Sequence, residues 1–154
     1  MSHFWEMEVI NGPLDALHGE KVSVGTMLVL EEYKRLANAI SEKRCKVKEY
    51  EDSDEELLLE TFGKKGILEK IRKENEPELL LEVQPEYLKE RLPEIAEIIE
   101  KLPEPEEMKA LLEKAGCRRS LNDIGLSKED KELSLRLSPY VRSCLLYTSP
   151  SPRD

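Results

Sequence analysis

The sequence predicts an all-α fold in the form of a helical bundle. Apolar residues recur at three- and four-residue spacings between breaks made by proline and glycine, and no stretch alternates apolar with polar residues as a strand does. The chain has 154 residues, of which 39% are apolar, so it can bury one modest core. We therefore expect packed helices and no β-sheet.

The longest helix is predicted to begin at His18 or Lys21 and to end at Ile40. Its apolar residues cover much of the helix circumference, and they are Val22, Met27, Leu28, Leu30, Tyr33, Leu36, Ala37 and Ile40. A helix that is apolar on most sides is usually surrounded by other elements. We expect this helix in the middle of the domain.

Further helices are predicted between proline and glycine breaks, over residues 55–62, 67–75, 85–102, 106–115 and 127–137. The charged segment 43–55 should be a solvated connection with some helix at its ends, and 79–81 should be a buried turn. Asp52 and Ser53 are candidate caps for the helix that follows them.

Local signals also predict how these helices bend and end. Pro93 should bend or divide its helix, because proline has no backbone N–H to donate. Gly116 is placed to form a left-handed C-terminal cap. Ser127 and Asp130 have the spacing of a capping box at the start of the last helix.

Charge and cysteine usage limit the partners and the compartment. The formal net charge of −9 would repel a phosphate backbone or an anionic membrane surface. No apolar run approaches the roughly 20 residues of a membrane helix, and no signal-peptide pattern opens the chain. Cys45, Cys117 and Cys144 are scattered, which favours reduced thiols. We expect a cytoplasmic protein that binds no nucleic acid and has no membrane span.

A histidine stands in a glycine-flanked turn directly before the longest helix. His18 is followed by Gly19 and by Glu20, whose carboxylate suits the exposed N–H groups of a first helical turn. Imidazole is a good donor to Zn²⁺, Ni²⁺ or Fe²⁺, and a ligand at a helix start is held rigidly. On this spacing alone, however, a histidine without a ligand is the commoner outcome.

The residues around this turn resemble a known superfamily. His-Gly-Glu-Lys-Val at 18–22, with Val-Gly-Thr at 24–26, resembles the metal-binding turn of iron-dependent alcohol dehydrogenases, glycerol dehydrogenase, glycerol-1-phosphate dehydrogenase and 3-dehydroquinate synthase. Ser-His-Phe-Trp-Glu-Met at 2–7 and the run 62–116 are similar to the bacterial-type glycerol-1-phosphate dehydrogenase branch. The resemblance spans most of residues 2–143.

The resemblance implies a fold and an activity. Residues 1–143 would form the helical metal- and substrate-binding C-terminal domain of a two-domain dehydrogenase, without its α/β nucleotide-binding domain. The intact enzyme would interconvert dihydroxyacetone phosphate and sn-glycerol-1-phosphate with a divalent metal (Zn, Ni or Fe) and NAD or NADP, which the missing domain would mainly bind. The fragment alone is expected to be inactive. A homo-oligomer is left open.

The resemblance also implies roles for the two histidines of the chain. In the superfamily a metal-binding histidine is followed four residues later by a histidine that lines the substrate pocket, and another metal-binding histidine lies in the His-Gly turn. His18 would therefore be a metal ligand and His3 the catalytic, pocket-lining histidine. The remaining ligands, an aspartate and a histidine, would precede the chain. Asp15 and Glu20 are expected to have surface or capping roles.

Both chain ends are expected to be artificial. Met1 is interpreted as an internal methionine, because ligand-region residues follow it at once. Residues 144–154 resemble the translation of a sequencing adapter and are expected to be disordered, although an ordinary Ser/Pro-rich tail is the alternative.

Other functions stay open. Glycerol dehydrogenase shares His-Gly-Glu-Lys-Val, and dehydroquinate synthase shares His-Gly-Glu, whereas Trp5 favours the glycerol-1-phosphate branch. Lys21, Lys34 and Arg35 could meet a phosphate, but basic residues beside glutamates are more often solvated. Outside enzymes, the chain could be an acidic helical interaction module in which His18 only caps a helix.

Overall fold

The computed structural model describes residues 1–49, 54–76 and 82–141, and the regular structure of these residues is entirely helical. The predicted all-α class is confirmed. The α-helices are α1 (Ser2–Glu6), α2 (His18–Ser41), α3 (Glu55–Phe62), α4 (Leu68–Glu74), α5 (Pro85–Glu100), α6 (Pro105–Lys114) and α7 (Glu129–Leu137). Short 3₁₀ turns occupy Gly63–Lys65, Asn122–Ile124 and Ser138–Val141.

Helix α2 lies at the centre of the fold, as predicted. It contacts α1, α5, α6 and the 3₁₀ turn Asn122–Ile124. One prediction about this helix was too broad: Val22 and Tyr33 are 42% and 47% exposed, so its apolar surface is not covered on all sides. These two residues line an open apolar groove between α2 and the segment that joins α5 to α6.

The main core holds α1 against the other helices. Phe4 and Trp5 are 0% and 1% exposed, and they pack in a cluster with Ile10, Val24, Leu58, Phe62, Leu68, Ile71, Ile124, Leu126 and Leu137. The ring of Phe4 meets that of Phe62 edge to face, with centroids 6.0 Å apart. A helix of five residues is unstable by itself, so this burial is what keeps α1 helical.

A smaller core joins the far half of α2 to α5. Its buried residues are Ala37, Ala96 and Ile99. The sequence predicted that Pro93 bends or divides its helix; helix α5 continues through Pro93, so the helix is not divided. Pro93 is exposed, and the packing of Ala96 and Ile99 against α2 offsets the missing hydrogen bond.

Two predicted signals at helix ends are confirmed. Gly116 has φ of +70°, and the N–H of Cys117 donates to the Leu112 carbonyl at 2.8 Å, as in a Schellman motif. The Ser127 N–H donates to the Asp130 carboxylate at 2.7 Å, and the Asp130 N–H lies 3.4 Å from the Ser127 hydroxyl. Gly116 and the Ser127–Asp130 pair therefore have the capping roles that the sequence predicted.

Some expectations concern residues outside the described ranges. These are the caps Asp52 and Ser53, the leucine turn 79–81, Cys144 and the terminal segment 144–154. Cys45 and Cys117 are free thiols, as expected. Across the described ranges, no helix combines the length and the apolar character needed to span a bilayer.

Candidate metal centre

The first turn of α2 presents His18. The helix begins at this residue, and Leu17 before it is extended, with φ of −68° and ψ of 158°. Leucine has no polar side chain for capping, so only half of a capping box forms: the Leu17 N–H donates to the Glu20 carboxylate at 2.7 Å. Glu20 therefore has the capping role that its position predicted.

A distant arginine fastens the turn that carries His18. The Arg118 guanidinium lies 2.8 Å from the Glu20 carboxylate and donates to the Asp15 carbonyl at 3.1 Å. The Ser23 hydroxyl, on the first turns of α2, donates to the Arg118 backbone carbonyl at 2.5 Å. The turn and the first turn of α2 are thus fixed to the segment that follows α6.

Helix α1 brings His3 and Glu6 to the same place. Residues three apart share a helix face, so these two side chains project together while Phe4 and Trp5 are buried. The two imidazole rings of His3 and His18 have centroids 5.5 Å apart. Both predicted site residues are therefore neighbours, although they come from different helices.

Glu6 connects the two histidines. Its Oε1 lies 2.7 Å from Nδ1 of His18, and its Oε2 lies 3.2 Å from Nδ1 of His3. We call these three residues the His–Glu cluster. Its side chains are partly open to solvent, with exposed fractions of 48% for His3, 31% for Glu6 and 56% for His18.

A lysine lies beside this cluster. Lys21 is 9% exposed, and its Nζ lies 3.6 Å from Oε1 of Glu6. The hydrogen bond with His18 lowers the pKa of the Glu6 carboxyl, and the charges of His18 and Lys21 lower it further, whereas burial opposes the change. Glu6 is therefore a carboxylate at neutral pH.

The other two candidate phosphate contacts lie elsewhere. Lys34 binds Glu104 at 2.6 Å and the Leu102 carbonyl at 2.8 Å. Arg35 pairs with Glu32 on its own helix at 2.6 Å. Of the three basic residues singled out in the sequence, Lys21 is the one that lies at the His–Glu cluster.

The donor atoms of the His–Glu cluster fit a divalent transition metal. One potential ligand atom from each residue lies within 4.8 Å of the other two. Imidazole nitrogen and carboxylate oxygen are donors that Zn²⁺, Ni²⁺ and Fe²⁺ accept. The cluster therefore contains donors that can take part in a metal site, and solvent access would leave room for a substrate oxygen.

Two residues of this region, Glu6 and Arg118, were not predicted from the sequence to belong to the site. Glu6 was noticed only within the resembling segment, although the His3-x-x-Glu6 spacing places both side chains on one helix face. Arg118 gave no local signal, because its contact with the Asp15 carbonyl spans 103 positions of the chain.

Comparison with known proteins finds two similar sequences. No protein-family model and no solved structure matches the chain. It is 29% identical over 143 residues to a protein named glycerol-1-phosphate dehydrogenase [NAD(P)+] from Geobacillus stearothermophilus. It is 27% identical over 144 residues to the protein of the same name from Geobacillus thermodenitrificans. The resemblance to glycerol-1-phosphate dehydrogenases is confirmed.

The similarity covers most of this chain but a small part of each relative. Each alignment includes 92% of this chain but 28% of the relative, so the chain spans well under a third of the length of these curated glycerol-1-phosphate dehydrogenases. The chain is consistent with a fragment of that family.

Proposed function

We propose that residues 1–143 form a helical metal- and substrate-binding domain of an NAD(P)-linked dehydrogenase that interconverts dihydroxyacetone phosphate and sn-glycerol-1-phosphate. The observation that carries the proposal is the meeting of His3, Glu6 and His18 at the start of α2. It occurs in a chain that is similar over 92% of its length to proteins named glycerol-1-phosphate dehydrogenase.

In this proposal His18 is a metal ligand. Its backbone is fixed at the first position of α2, and its ring is restrained by the 2.7 Å contact with Glu6. A bound divalent metal would lower the pKa of the substrate hydroxyl in one direction and polarise the ketone in the other. Two further ligands, an aspartate and a histidine, would come from outside this chain.

His3 is proposed to contact the substrate. Its ring lies beside that of His18, and about half of its side chain is open to solvent, so a small molecule can reach it. A histidine in this position can orient a substrate hydroxyl and exchange a proton with it. The sequence contains no Gly-rich dinucleotide fingerprint, so NAD or NADP would be bound by other parts of the dehydrogenase.

Metal binding by a chimaera tests this assignment, because two of the proposed ligands lie outside this chain. Residues 1–143 would replace the matching segment of the Geobacillus stearothermophilus protein. We expect isothermal titration with Zn²⁺ or Ni²⁺ to detect one site, and His18→Ala to abolish it while circular dichroism remains that of the wild type. His3→Ala should leave more of the affinity than His18→Ala. Metal bound equally well by wild type and His18→Ala would remove His18 from the site.

Activity can be tested with the same chimaera. Its reduction of dihydroxyacetone phosphate would be followed with NADH and NADPH. We expect turnover that His18→Ala in the chimaera eliminates. A folded, metal-loaded chimaera with no turnover would contradict the proposed activity but not the metal site.

A further inference from the structure

We propose that Glu6 is a positioning residue that holds both histidines of the His–Glu cluster with Nε2 directed away from Glu6. Its carboxylate accepts the Nδ1–H of each ring, so that Nε2 of His18 is presented to the metal and Nε2 of His3 to the substrate. The assignment of one Nε2 to the metal and the other to the substrate rests on the proposed function, whereas the orientation of the rings can be tested without it.

The geometry of the carboxylate matches this role. Each oxygen serves one ring: Oε1 lies 2.7 Å from Nδ1 of His18 and Oε2 lies 3.2 Å from Nδ1 of His3. Both are hydrogen-bond distances, and the shorter one is typical of a charge-assisted bond. An ionised carboxylate can only accept, so both Nδ1 atoms must carry the proton, and a neutral ring then has its lone pair on Nε2.

The same distance argues against Glu6 as a ligand of the same metal through these atoms. Two donors bound at about 2.0–2.1 Å to a tetrahedral zinc ion are separated by roughly 3.3 Å. The separation of 2.7 Å between Glu6 and His18 is shorter, and it leaves no space for an ion between the two atoms. Carboxylates that bind the second nitrogen of a metal-binding histidine are a common means of fixing the ring.

The rest of the fold keeps Glu6 in place. Phe4 and Trp5 fasten α1 to the core, and the Trp5 Nε1–H donates to the buried Ser134 hydroxyl at 2.8 Å. Lys21, itself almost fully buried, contributes a positive charge 3.6 Å from Oε1. Glu6 therefore lies on a short helix whose orientation is set by packing, with a cation beside its carboxylate.

Nuclear magnetic resonance of the metal-free 154-residue chain tests the orientation. With ¹⁵N-labelled histidine at about pH 8.5, above the ordinary range of histidine pKa values, imidazole nitrogen shifts distinguish the two neutral tautomers. We expect both rings of the wild type to carry the proton on Nδ1. In Glu6→Gln one oxygen becomes an NH₂ donor, so at least one ring should change to the Nε2–H form.

Metal affinity supplies the second measurement. Removing such a supporting carboxylate typically costs 10- to 100-fold in metal affinity, so Glu6→Gln should weaken Zn²⁺ binding by the chimaera by about that factor. Glu94→Gln is the matched control, because Glu94 also pairs with a residue three positions away but lies on α5. This control should leave both the tautomers and the Zn²⁺ affinity unchanged.

The outcomes separate the two proposals. Wild-type rings with the proton on Nε2 would overturn the positioning role, and this measurement does not depend on the folding of any variant. Unchanged tautomers in Glu6→Gln would overturn it as well. Loss of Zn²⁺ affinity beyond about 1,000-fold in Glu6→Gln would make Glu6 a ligand and also overturn it. The expected tautomers in the 154-residue chain, together with no Zn²⁺ binding by the chimaera, would support the orientation of the rings and contradict the proposed metal site.

Discussion

At the residue scale, buried polar atoms of the core are paired by specific partners. The Trp5 Nε1–H would have no acceptor in the core without the Ser134 hydroxyl, since both side chains are essentially inaccessible to solvent. A buried donor that loses its acceptor costs more than the hydrogen bond itself contributed. This bond joins α1, which carries His3 and Glu6, to α7.

Ser134→Ala should lower the free energy of unfolding by about 1–3 kcal/mol, because it leaves the Trp5 donor buried and unpaired. Denaturant unfolding monitored by tryptophan fluorescence measures the change at the relevant residue. The control is Ser41→Ala at the exposed end of α2, which should stay within about 0.5 kcal/mol of the wild type. Equal stability of the two variants would show that the Trp5 bond contributes little.

Glu6 also predicts a pH dependence of stability. Its pKa is lowered in the folded state, chiefly by the hydrogen bond with His18, relative to the ordinary value of 4.5. The folded state therefore binds the proton less readily, and the resulting stabilisation is present above pH 4.5 and is lost as the pH falls through the lowered pKa. Solvent exposure makes this contribution modest.

Urea unfolding at several pH values between 6 and 3 would measure this effect. The wild type should lose more stability on acidification than Glu6→Gln, which has no carboxyl group at this position. The difference between the two proteins should develop below about pH 4.5. Parallel pH profiles would contradict the pKa assignment.

At the element scale, helix ends depend on residues that can adopt special backbone angles. Gly116 has φ of +70° at the end of α6, and no atom lies within 4 Å of the position a Cβ would take. A side chain there would meet no steric clash with its neighbours, so any penalty comes from the backbone conformation alone. Gly19 also has open space around it, but its φ is not positive.

These two glycines form a matched pair for substitution. Gly116→Ala should destabilise the protein by about 1–2 kcal/mol, because a left-handed backbone is costly for L-residues. Gly19→Ala should instead stabilise it by about 0.5–1 kcal/mol, since alanine has the higher helix propensity. Thermal or urea unfolding of both variants gives the signs, and a stabilising Gly116→Ala would contradict the cap.

At the scale of the whole molecule, residues far apart in the chain support the candidate site. Arg118 joins the segment after α6 to Asp15 and Glu20, on either side of His18. The core likewise places α1 beside the start of α2 through residues from α3, α4 and α7. The His–Glu cluster is thus a product of the complete helical packing.

Arg118→Ala in the chimaera should weaken Zn²⁺ binding by about two- to fivefold, because the lost contacts are partly exposed and worth up to ~1 kcal/mol. Isothermal titration measures the change. Arg91→Ala is the control, since Arg91 pairs with Glu94 on α5. If both variants bind Zn²⁺ alike, the arginine does not hold the turn for metal binding.

The 154-residue chain alone should not catalyse hydride transfer. In the proposed function two metal ligands and the nucleotide site lie outside it, and a catalytic zinc site normally needs three protein ligands. The assay would contain dihydroxyacetone phosphate, NADH or NADPH, and Zn²⁺ or Ni²⁺, with a no-protein control. Turnover clearly above that control would show that the chain holds a complete active site.

The sequence by itself determined the helical class, most helix boundaries and the local caps. Those features depend on residues within one or two turns of each other: the apolar period of α2, the left-handed Gly116 and the Ser127–Asp130 capping box. The short His-Gly motif also singled out His18, because a motif is a local pattern. Each of these signals can be read without knowing what packs against the helix.

Only the tertiary structure decided which side chains meet. Glu6 on α1 binds His18 on α2, and Arg118 contacts residues more than 90 positions away in the chain. Helix α5 continues through Pro93 because its packing against α2 offsets the backbone hydrogen bond that proline cannot make. Val22 and Tyr33 looked like core residues but lie at an open groove. Such outcomes depend on the three-dimensional arrangement of the other helices, which the local sequence pattern does not encode.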